Sequence, residues 1–415
     1  MNLRKIIEII FAIFIASILA KSTEAQEGSD DFVLEHVIGY KDKIDNPLSL
    51  ISNGKAQKYA TGGSIFQRMM LMKMFRMVAP RGQGKHRIKY YTGGSEKVEE
   101  FTGPRILQKS GPFKEDVYPA YDDPETVANF AKMTSNAYFT RVFSGWRNVS
   151  DYDTVDGFGW DTPGLRGYIF VNRARDIVIV SFKGTSILLA GGDTVNRDKD
   201  QDNKMFSCCC GRVDISWIPV CGCYSGGYMS RGQTCSNQCL KSSLLSDQDS
   251  YFLQAQSIVD QIRQIYPTAR LWFTGHSLGG AVSNLMALAN EGTASISFEA
   301  PGDMLYAQRI GLLPENENPN EQPRPIWNFG VSTDPIYMGR CNGITSSCYM
   351  TGYAMESVCH TGYECTWTRE GREDVGTHRI DWVLDNIILA DPPLPLPTCV
   401  PVKNCKDCQN WNFTD

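Results

Sequence analysis

The sequence has no excess of positive charge. Its 41 lysines and arginines are outnumbered by 46 aspartates and glutamates, which gives a net charge of -5 at pH 7. Proteins that bind nucleic acid carry a basic patch to neutralise phosphates, and this charge balance offers none. With 42% hydrophobic and 21% charged residues among 415 positions, the composition is typical of a globular protein with a sizeable core. We therefore expect a globular protein without a nucleic-acid partner.

A hydrophobic run of membrane-spanning length is missing at the N-terminus. The apolar stretch over residues 9–20 follows Arg4 and Lys5 and holds about a dozen residues, whereas a transmembrane helix needs about twenty. A basic start, a short apolar run and a small residue, Ala25, at a plausible cleavage site are typical of a signal peptide. We expect residues 1–25 to be a cleaved signal peptide rather than a retained anchor.

Cysteine is absent before Cys208, and all 14 cysteines follow from there. In a chain that enters the secretory pathway, this number indicates disulfides. A zinc site is the competing interpretation, but Cys221 and Cys223 lack the paired C-x-x-C spacing and have no histidine nearby. We expect disulfides, whose pairing the sequence leaves open. The glycosylation acceptors Asn148 and Asn412 fit the same route.

The most informative motif follows a short β-prone run. Gly275-His276-Ser277-Leu278-Gly279 has the G-x-S-x-G pattern of a nucleophile elbow, a sharp turn between a strand and a helix. Small residues flank the serine because larger side chains would clash at the strained turn. We expect the Ser277 hydroxyl to stand exposed above the sheet, with the N–H of Leu278 directed to where an oxyanion forms. A chance match is the alternative, but the strand and helix context agrees with the motif.

A serine nucleophile needs a base, and the chain has only five histidines. In α/β-hydrolases the base follows the serine and the acid in chain order, which leaves His360 and His378. His360 lies beside Cys359, in a segment that we expect to be held by a disulfide. His378 precedes an amphipathic helix, at a loop-to-helix junction. We predict that His378 is the base, with His360 as the alternative.

The acid must lie between the elbow and the base. Asp334 follows a buried strand predicted over residues 325–330, where its carboxylate can accept a proton from the imidazole of His378. The rival, Asp303, is interpreted as a solvated turn residue at the start of a helix. We predict that Asp334 is the acid.

A second oxyanion donor is predicted in the loop after the strand over residues 177–182. Gly184 allows the backbone to approach a substrate closely, and Thr185 offers both its N–H and its hydroxyl. Losing one such donor typically slows turnover by roughly a hundred- to a thousandfold. Thr185 and Leu278 would together form the oxyanion hole.

Strands and helices alternate along residues 114–390, which predicts an α/β fold. We expect an α/β-hydrolase with a mostly parallel sheet and helices on both of its faces. Residues 187–247 form a cysteine-rich insertion that we interpret as a lid over the active site, because structureless loops of that length are uncommon. Inside it, residues 198–202 resemble the opening of a calcium loop, but Asn203 stands in place of the required glycine. We therefore reject an EF-hand.

The flanking segments are less informative. Residues 26–113 show little periodicity and are poorly defined. Within them, the methionine-rich residues 66–77 are predicted to form a core-packing helix, with a basic amphipathic helix that contacts membrane as the alternative. Residues 391–415 are interpreted as a proline-rich linker and a cysteine-bearing tail.

From about residue 120 to the end, the chain resembles the autophagy-related vacuolar lipases, a branch of the class 3 lipase group of α/β-hydrolases. The triple-cysteine block is far more specific than the elbow. The blocks that carry the resemblance are Phe158-Gly159-Trp160, Gly164-Leu165-Arg166-Gly167, Lys183-Gly184-Thr185-Ser186, Phe206-Ser207-Cys208-Cys209-Cys210-Gly211, Gly275-His276-Ser277-Leu278-Gly279-Gly280-Ala281-Val282, Phe298-Glu299-Ala300-Pro301, and Asp407-Cys408 with Trp411.

The resemblance implies that Ser277, Asp334 and His378 are nucleophile, acid and base. It implies a lipase or phospholipase that contacts membrane peripherally, works without metal or organic cofactor and breaks down membranes delivered to the vacuole or lysosome. The family's N-terminus is a membrane anchor, whereas this one looks cleavable, so we expect either the vacuolar or lysosomal lumen or secretion. The alternatives are a non-interfacial carboxylesterase and a non-catalytic lipid-binding protein. The sequence indicates no oligomeric state.

Overall fold

A computed structural model describes residues 116–414 except 142–144, 161–163, 187–194, 214–216, 226–233, 248 and 315–322, and the backbone of residues 50–52, 55–57, 83–92 and 95–104. The predictions for residues 1–25 and 66–77, and for most of residues 26–113, lie outside the described residues. Among the described residues, every helix is too short or too polar to span a bilayer.

The strands of the described chain include a central set that carries the candidate site. In chain order they are β1 (Leu50–Ser52), β2 (Lys55–Gln57), β3 (Gln83–Thr92), β4 (Ser95–Pro104), β5 (Asp116–Pro119), β6 (Tyr152–Phe158), β7 (Gly167–Asn172), β8 (Ile177–Phe182), β9 (Tyr224–Ser225), β10 (Thr234–Ser236), β11 (Arg270–His276), β12 (Ala294–Phe298), β13 (Ile326–Val331), β14 (Tyr363–Trp367), β15 (Val400–Pro401) and β16 (Asn412–Thr414).

The helices alternate with these strands. They are α1 (Pro124–Asn136), α2 (Val195–Phe206), α3 (Asn237–Ser246), α4 (Tyr251–Ile265), α5 (Leu278–Ala289), α6 (Met304–Arg309), α7 (Ser347–Thr351) and α8 (Ile380–Val383). A 3-10 turn over Val375–His378 precedes α8, and a π-helical turn over Leu384–Ile388 follows it. The amphipathic helix predicted after His378 is thus divided into short helical pieces.

The main sheet has eight strands in the order β15-β14-β13-β12-β11-β8-β7-β6. Its centre, from β8 through β11, β12 and β13 to β14, is parallel throughout. Strands β15, β7 and β6 join the edges in antiparallel orientation. The predicted α/β fold with a mostly parallel sheet is confirmed. Because β11, β12 and β13 lie side by side, the residues that follow them meet at one edge of the sheet.

Both faces of the sheet are covered, as predicted. Side chains alternate along β8, so that Val178 and Val180 pack with helices α4 and α5, whereas Ile179 packs on the opposite face with α1 and α8. Asp123 accepts a hydrogen bond from the Thr126 N–H at 2.9 Å and caps α1. The two apolar layers hold the strand ends rigidly in place.

All 14 cysteines are paired, which confirms the prediction of disulfides. The insertion is folded around α2, α3, β9 and β10, and β10 pairs in parallel with β16 of the C-terminal tail. The tail is therefore part of the packed fold. The bonds are Cys208–Cys408, Cys209–Cys235, Cys210–Cys221, Cys223–Cys239, Cys341–Cys348, Cys359–Cys405 and Cys365–Cys399.

The Cys208–Cys408 bond spans 200 residues, and the Cys341–Cys348 bond spans 7. Loop-closure entropy predicts that replacing both cysteines of the long-range pair by alanine costs about 5 kcal/mol, and replacing both of the short pair costs about 2 kcal/mol. We expect the first double variant to have the larger drop in melting temperature, measured by circular dichroism. Equal losses would contradict a role for this bond in holding insertion and tail together.

Candidate active site

Ser277 occupies a strained turn between β11 and α5. Its backbone angles are φ 55° and ψ -127°, a combination that residues with a side chain rarely adopt. The turn is held on both sides: the Ser277 N–H donates to the Phe298 carbonyl at 3.1 Å, and the Ser277 carbonyl accepts from the Ala281 N–H at 3.1 Å. Strain of this kind persists only where the surrounding structure enforces it, and it is common at functional sites.

The flanking glycines are required by close backbone contacts, as the motif predicts. A Cβ atom at Gly275 would overlap the carbonyl oxygen of Gly279, and one at Gly279 would overlap the carbonyl oxygen of Phe182. At Gly280 a Cβ would lie 2.9 Å from the Ala300 Cβ. The elbow therefore brings α5 into direct contact with the ends of two strands.

The structure brings the predicted nucleophile, base and acid together in one hydrogen-bonded chain. The Ser277 Oγ lies 2.9 Å from His378 Nε2, and His378 Nδ1 lies 2.7 Å from Asp334 Oδ2. Ser277 is only 6% exposed and Asp334 fully buried. The expectation of an exposed hydroxyl was wrong, because His378 and the loop after β8 pack against the elbow.

The rival residues have other partners. Asp303 is fully buried rather than solvated, and it accepts hydrogen bonds from the N–H and the hydroxyl of Thr361 at 2.8 and 2.7 Å. His360 contacts the Glu364 carboxylate through Nδ1 at 2.9 Å and the Ala300 carbonyl through Nε2 at 2.8 Å. Neither residue joins the chain that contains Ser277.

The charge of Asp334 is set by its neighbours. Burial alone would raise its pKa, but the charge of His378 and the hydrogen bonds from His378, Glu299 and the Ile336 N–H outweigh burial and hold the pKa below its ordinary value. The carboxyl group is therefore ionised. An ionised Asp334 can accept the Nδ1 proton of His378 and stabilise a positive charge on that ring.

His276, inside the elbow, holds the backbone of His378. Its Nε2 lies 2.5 Å from the His378 carbonyl oxygen, and its Nδ1 lies 2.5 Å from the hydroxyl of Tyr138. Because a carbonyl can only accept, Nε2 carries the proton and Tyr138 donates to Nδ1. Burial, followed by the charge of His378, lowers the pKa of His276 to about 3, so the ring is neutral. Sequence reasoning excluded His276 as the base but gave no signal of this supporting contact.

The predicted oxyanion loop lies against the elbow. A Cβ atom at Gly184 would overlap the carbonyl oxygen of His276 and the hydroxyl of Tyr138. The Thr185 hydroxyl donates to Asp202 Oδ2 at 2.7 Å, so in this structure it is directed towards α2. Leu278 is the first residue of α5, where a backbone N–H has no carbonyl acceptor within its own helix.

An acidic pair on α2, Asp198 and Asp202, contacts the loop that is predicted to supply an oxyanion donor. Asp198 Oδ2 accepts from the Ser186 N–H at 2.8 Å and lies 3.4 Å from Lys183 Nζ. Burial, together with the charge of Asp198, raises the pKa of Asp202 well above its ordinary value. These residues form part of a helix, which agrees with the rejection of an EF-hand. Their spacing of four residues, which places both carboxyls on one helix face, was the signal available in the sequence.

The two predicted glycosylation acceptors, Asn148 and Asn412, are exposed. Their modification stays a prediction. The three cysteine sulfurs that cluster together, from Cys210, Cys221 and Cys223, are all engaged in disulfides. This pairing agrees with the choice of disulfides over zinc.

The lowered pKa of His276 predicts a pH-dependent stability. A histidine with a pKa of about 3 when folded and about 6.5 when unfolded stabilises the fold fully above pH 6.5, and this contribution is lost as the pH falls towards 3. By pH 5 the loss amounts to about 2 kcal/mol. Between pH 7 and pH 5 the free energy of unfolding, measured with urea, should decrease less for His276→Gln than for the wild type. Parallel decreases in both proteins would refute a buried neutral His276.

Comparison with known proteins identifies relatives of this chain. The model of the family Lipase (class 3) matches residues 218–297, which include the elbow. The putative lipase ATG15 of Yarrowia lipolytica is 41% identical over 304 residues, covering 71% of this chain and 54% of that protein. The putative lipase ATG15 of Cryptococcus neoformans var. neoformans serotype D is 44% identical over 283 residues, covering 66% of this chain and 53% of that protein.

The chain thus spans about half the length of the curated relatives that it matches. Among solved structures, the Lip2 lipase of Yarrowia lipolytica matches with a TM-score of 0.34 and 15% identity, covering 58% of this chain and 77% of that chain, which is too distant to support an assignment. The sequence matches confirm the resemblance indicated by the sequence blocks: this chain is similar to the putative lipases ATG15.

Proposed function

We propose that the protein is a serine lipase that hydrolyses acyl esters of glycerolipids, phospholipids included. The observation that carries the proposal is the chain of hydrogen bonds from Ser277 through His378 to Asp334, built on the strained elbow. His378 lies within 3 Å of both Ser277 and Asp334, in the order that acyl transfer requires. The class 3 lipase match and the lipase names of the relatives support ester hydrolysis of lipids.

The reaction follows from this geometry. His378 Nε2 takes the hydroxyl proton of Ser277 as Oγ attacks the acyl carbonyl, and later gives that proton to the leaving alcohol. Asp334 stabilises the imidazolium without becoming protonated. The backbone N–H groups of Leu278 and Thr185 would donate to the oxyanion of the tetrahedral intermediate. Water then releases the acid from the acyl-enzyme and regenerates Ser277.

Location and organisation form part of the proposal. A chain with all 14 cysteines in disulfides suits an oxidising compartment, and the autophagy names of the relatives favour the lumen of the vacuole or lysosome, with secretion as the other outcome. We place the hydrolase domain at residues 114–390, with residues 187–247 as a lid and the protein in peripheral contact with its lipid surface. Helix α2 ties that insertion to the oxyanion loop through Asp198 and Asp202.

Replacing the nucleophile tests the mechanism. Ser277→Ala should lower turnover of phospholipid vesicles and of a triacylglycerol emulsion by on the order of a millionfold, because no other group can form the acyl-enzyme. Fatty acid release by the purified, oxidised protein is the measurement. Ser242→Ala, an exposed serine on α3, is the matched control and should keep full activity. A folded wild type that releases no fatty acid from either substrate would rule out the lipase proposal and favour lipid binding.

Rates measured below and above the solubility limit of an ester test whether residues 187–247 act as a lid. If residues 187–247 cover the site until a lipid surface is met, the rate on a short-chain ester should rise steeply once its concentration exceeds its solubility. The physical reason is that a closed lid would keep a dissolved ester from the Ser277 hydroxyl until a lipid surface displaces the lid. Rates that follow simple saturation through the solubility limit would instead identify a non-interfacial carboxylesterase.

A further inference from the structure

We infer that Glu299 is a positioning residue for Asp334: its neutral carboxyl group donates a hydrogen bond to the Asp334 carboxylate and fixes it behind His378. The inference rests on the proposed function, because it assigns Glu299 a role in the same site. It concerns a residue that follows β12, one strand away from the strand that delivers Asp334.

The carboxyl group of Glu299 is held across the end of β13. Glu299 adopts a φ of 48°, which a residue with a side chain rarely does, and its N–H donates to the Phe329 carbonyl at 2.8 Å. Both carboxyl oxygens lie within reach of the Val331 N–H, at 3.1 and 3.2 Å. The residue is fully buried. A strained backbone and a buried acid are costly, so the fold is organised to keep this group in place.

Asp334 follows Val331 in the chain and lies at the same end of β13 as Glu299. The Asp334 N–H donates to the Val331 carbonyl at 2.9 Å, and the Ile336 N–H donates to Asp334 Oδ1 at 2.9 Å. Its other oxygen, Oδ2, accepts from His378 Nδ1. The Glu299 carboxyl group, at the Val331 N–H, and the Asp334 carboxyl group therefore lie close enough to interact. Val331 thus contacts both residues: its N–H donates to the Glu299 carboxyl group, and its carbonyl accepts from the backbone N–H of Asp334.

Two buried carboxyl groups in contact cannot both be ionised, so one of them must carry a proton. Asp334 faces His378, which favours its charged form. Glu299 faces Asp334 and the Val331 N–H, with Tyr337 as a further titratable neighbour. Burial, then the charge of Asp334, raises the pKa of Glu299 well above its ordinary value, while that of Asp334 is lowered. The proton therefore resides on Glu299.

With the proton on Glu299, each of its two carboxyl oxygens has a hydrogen-bond partner. The Glu299 O–H donates to Asp334, and its carbonyl oxygen accepts from the Val331 N–H. Asp334 keeps its full negative charge for the imidazolium of His378, and no proton leaves Glu299 during the reaction. Without the donor, the Asp334 carboxylate would keep only the bonds from Ile336 and His378, and it could turn away from the productive orientation.

The variants Glu299→Gln and Glu299→Met separate these roles in the full-length protein. The amide of glutamine keeps one donor and one neutral acceptor, whereas methionine has similar length and no donor. On a soluble ester we expect Glu299→Gln to keep most of the wild-type kcat and the same acid limb of the pH profile. Glu299→Met should lower kcat by roughly 10- to 100-fold with little change in KM, and should shift the acid limb upward.

The acid limb should move because an Asp334 carboxylate that has lost its donor keeps more negative charge on the oxygen that faces His378, and this favours the protonated ring whenever the two groups are in contact. A Gln variant as impaired as the Met variant would overturn the inference, since it would show that the charge of Glu299 is what acts. Equal losses of melting temperature in both variants, with kcat of the folded fraction unchanged, would also overturn it and leave a purely structural role.

Infrared spectroscopy tests directly whether the Glu299 carboxyl group is protonated, and this measurement does not depend on activity. At neutral pH the wild type should show the carbonyl stretching band of a protonated carboxylic acid that is missing from Glu299→Gln. The Ser277→Ala protein should keep this band. If the band is present but no ester is hydrolysed, the proposed function fails while the carboxyl pair stands. If wild type and Glu299→Gln do not differ in this region, the inference fails even in an active enzyme.

Discussion

The close approach of backbone segments at the elbow is the constraint on which the site depends. Gly275 and Gly279 allow the turn, α5 and the end of β8 to pack without side chains between them. This packing enforces the positive φ of Ser277 and sets its hydroxyl beside His378. It also presses the loop at Gly184 onto the carbonyl of His276. Ser277 and the loop at Gly184 are therefore positioned by the same contact, so a shift of one would displace the other.

Around this contact the fold buries several ionisable groups, among them His276, Asp202 and Asp334, and each is hydrogen-bonded to a defined partner. His276 is kept neutral between Tyr138 and a backbone carbonyl, while Asp202 lies beside the Thr185 hydroxyl. Because burial strengthens both favourable and unfavourable electrostatic interactions, such networks are stable only when every member is satisfied. The neutral His276 orients the backbone of His378, and the negative charge of Asp334 lies where the proposed chemistry uses it.

The sequence was sufficient for the features that local rules govern. Chain order and strand ends predicted His378 and Asp334, and the structure places them in one hydrogen-bonded chain with Ser277. Features that depend on contacts between residues far apart in the chain could not be predicted from the sequence. Asp303 looked like a solvated turn residue because its partner, Thr361, lies 58 positions away. Glu299 stood in a motif block, but only the neighbouring strand shows that its carboxyl group meets Asp334. Disulfide pairing was hidden for the same reason.

One consequence of the Cys208–Cys408 bond concerns survival among proteases. Together with the backbone it closes a covalent ring, and Ser277, Asp334 and His378 all lie inside that ring. A single cut in a surface loop between the two cysteines opens the ring but leaves both pieces joined. The apolar layers on the two faces of the sheet then continue to hold the pieces in register. A chain closed in this way can be cut once by a protease and still keep its three central side chains together.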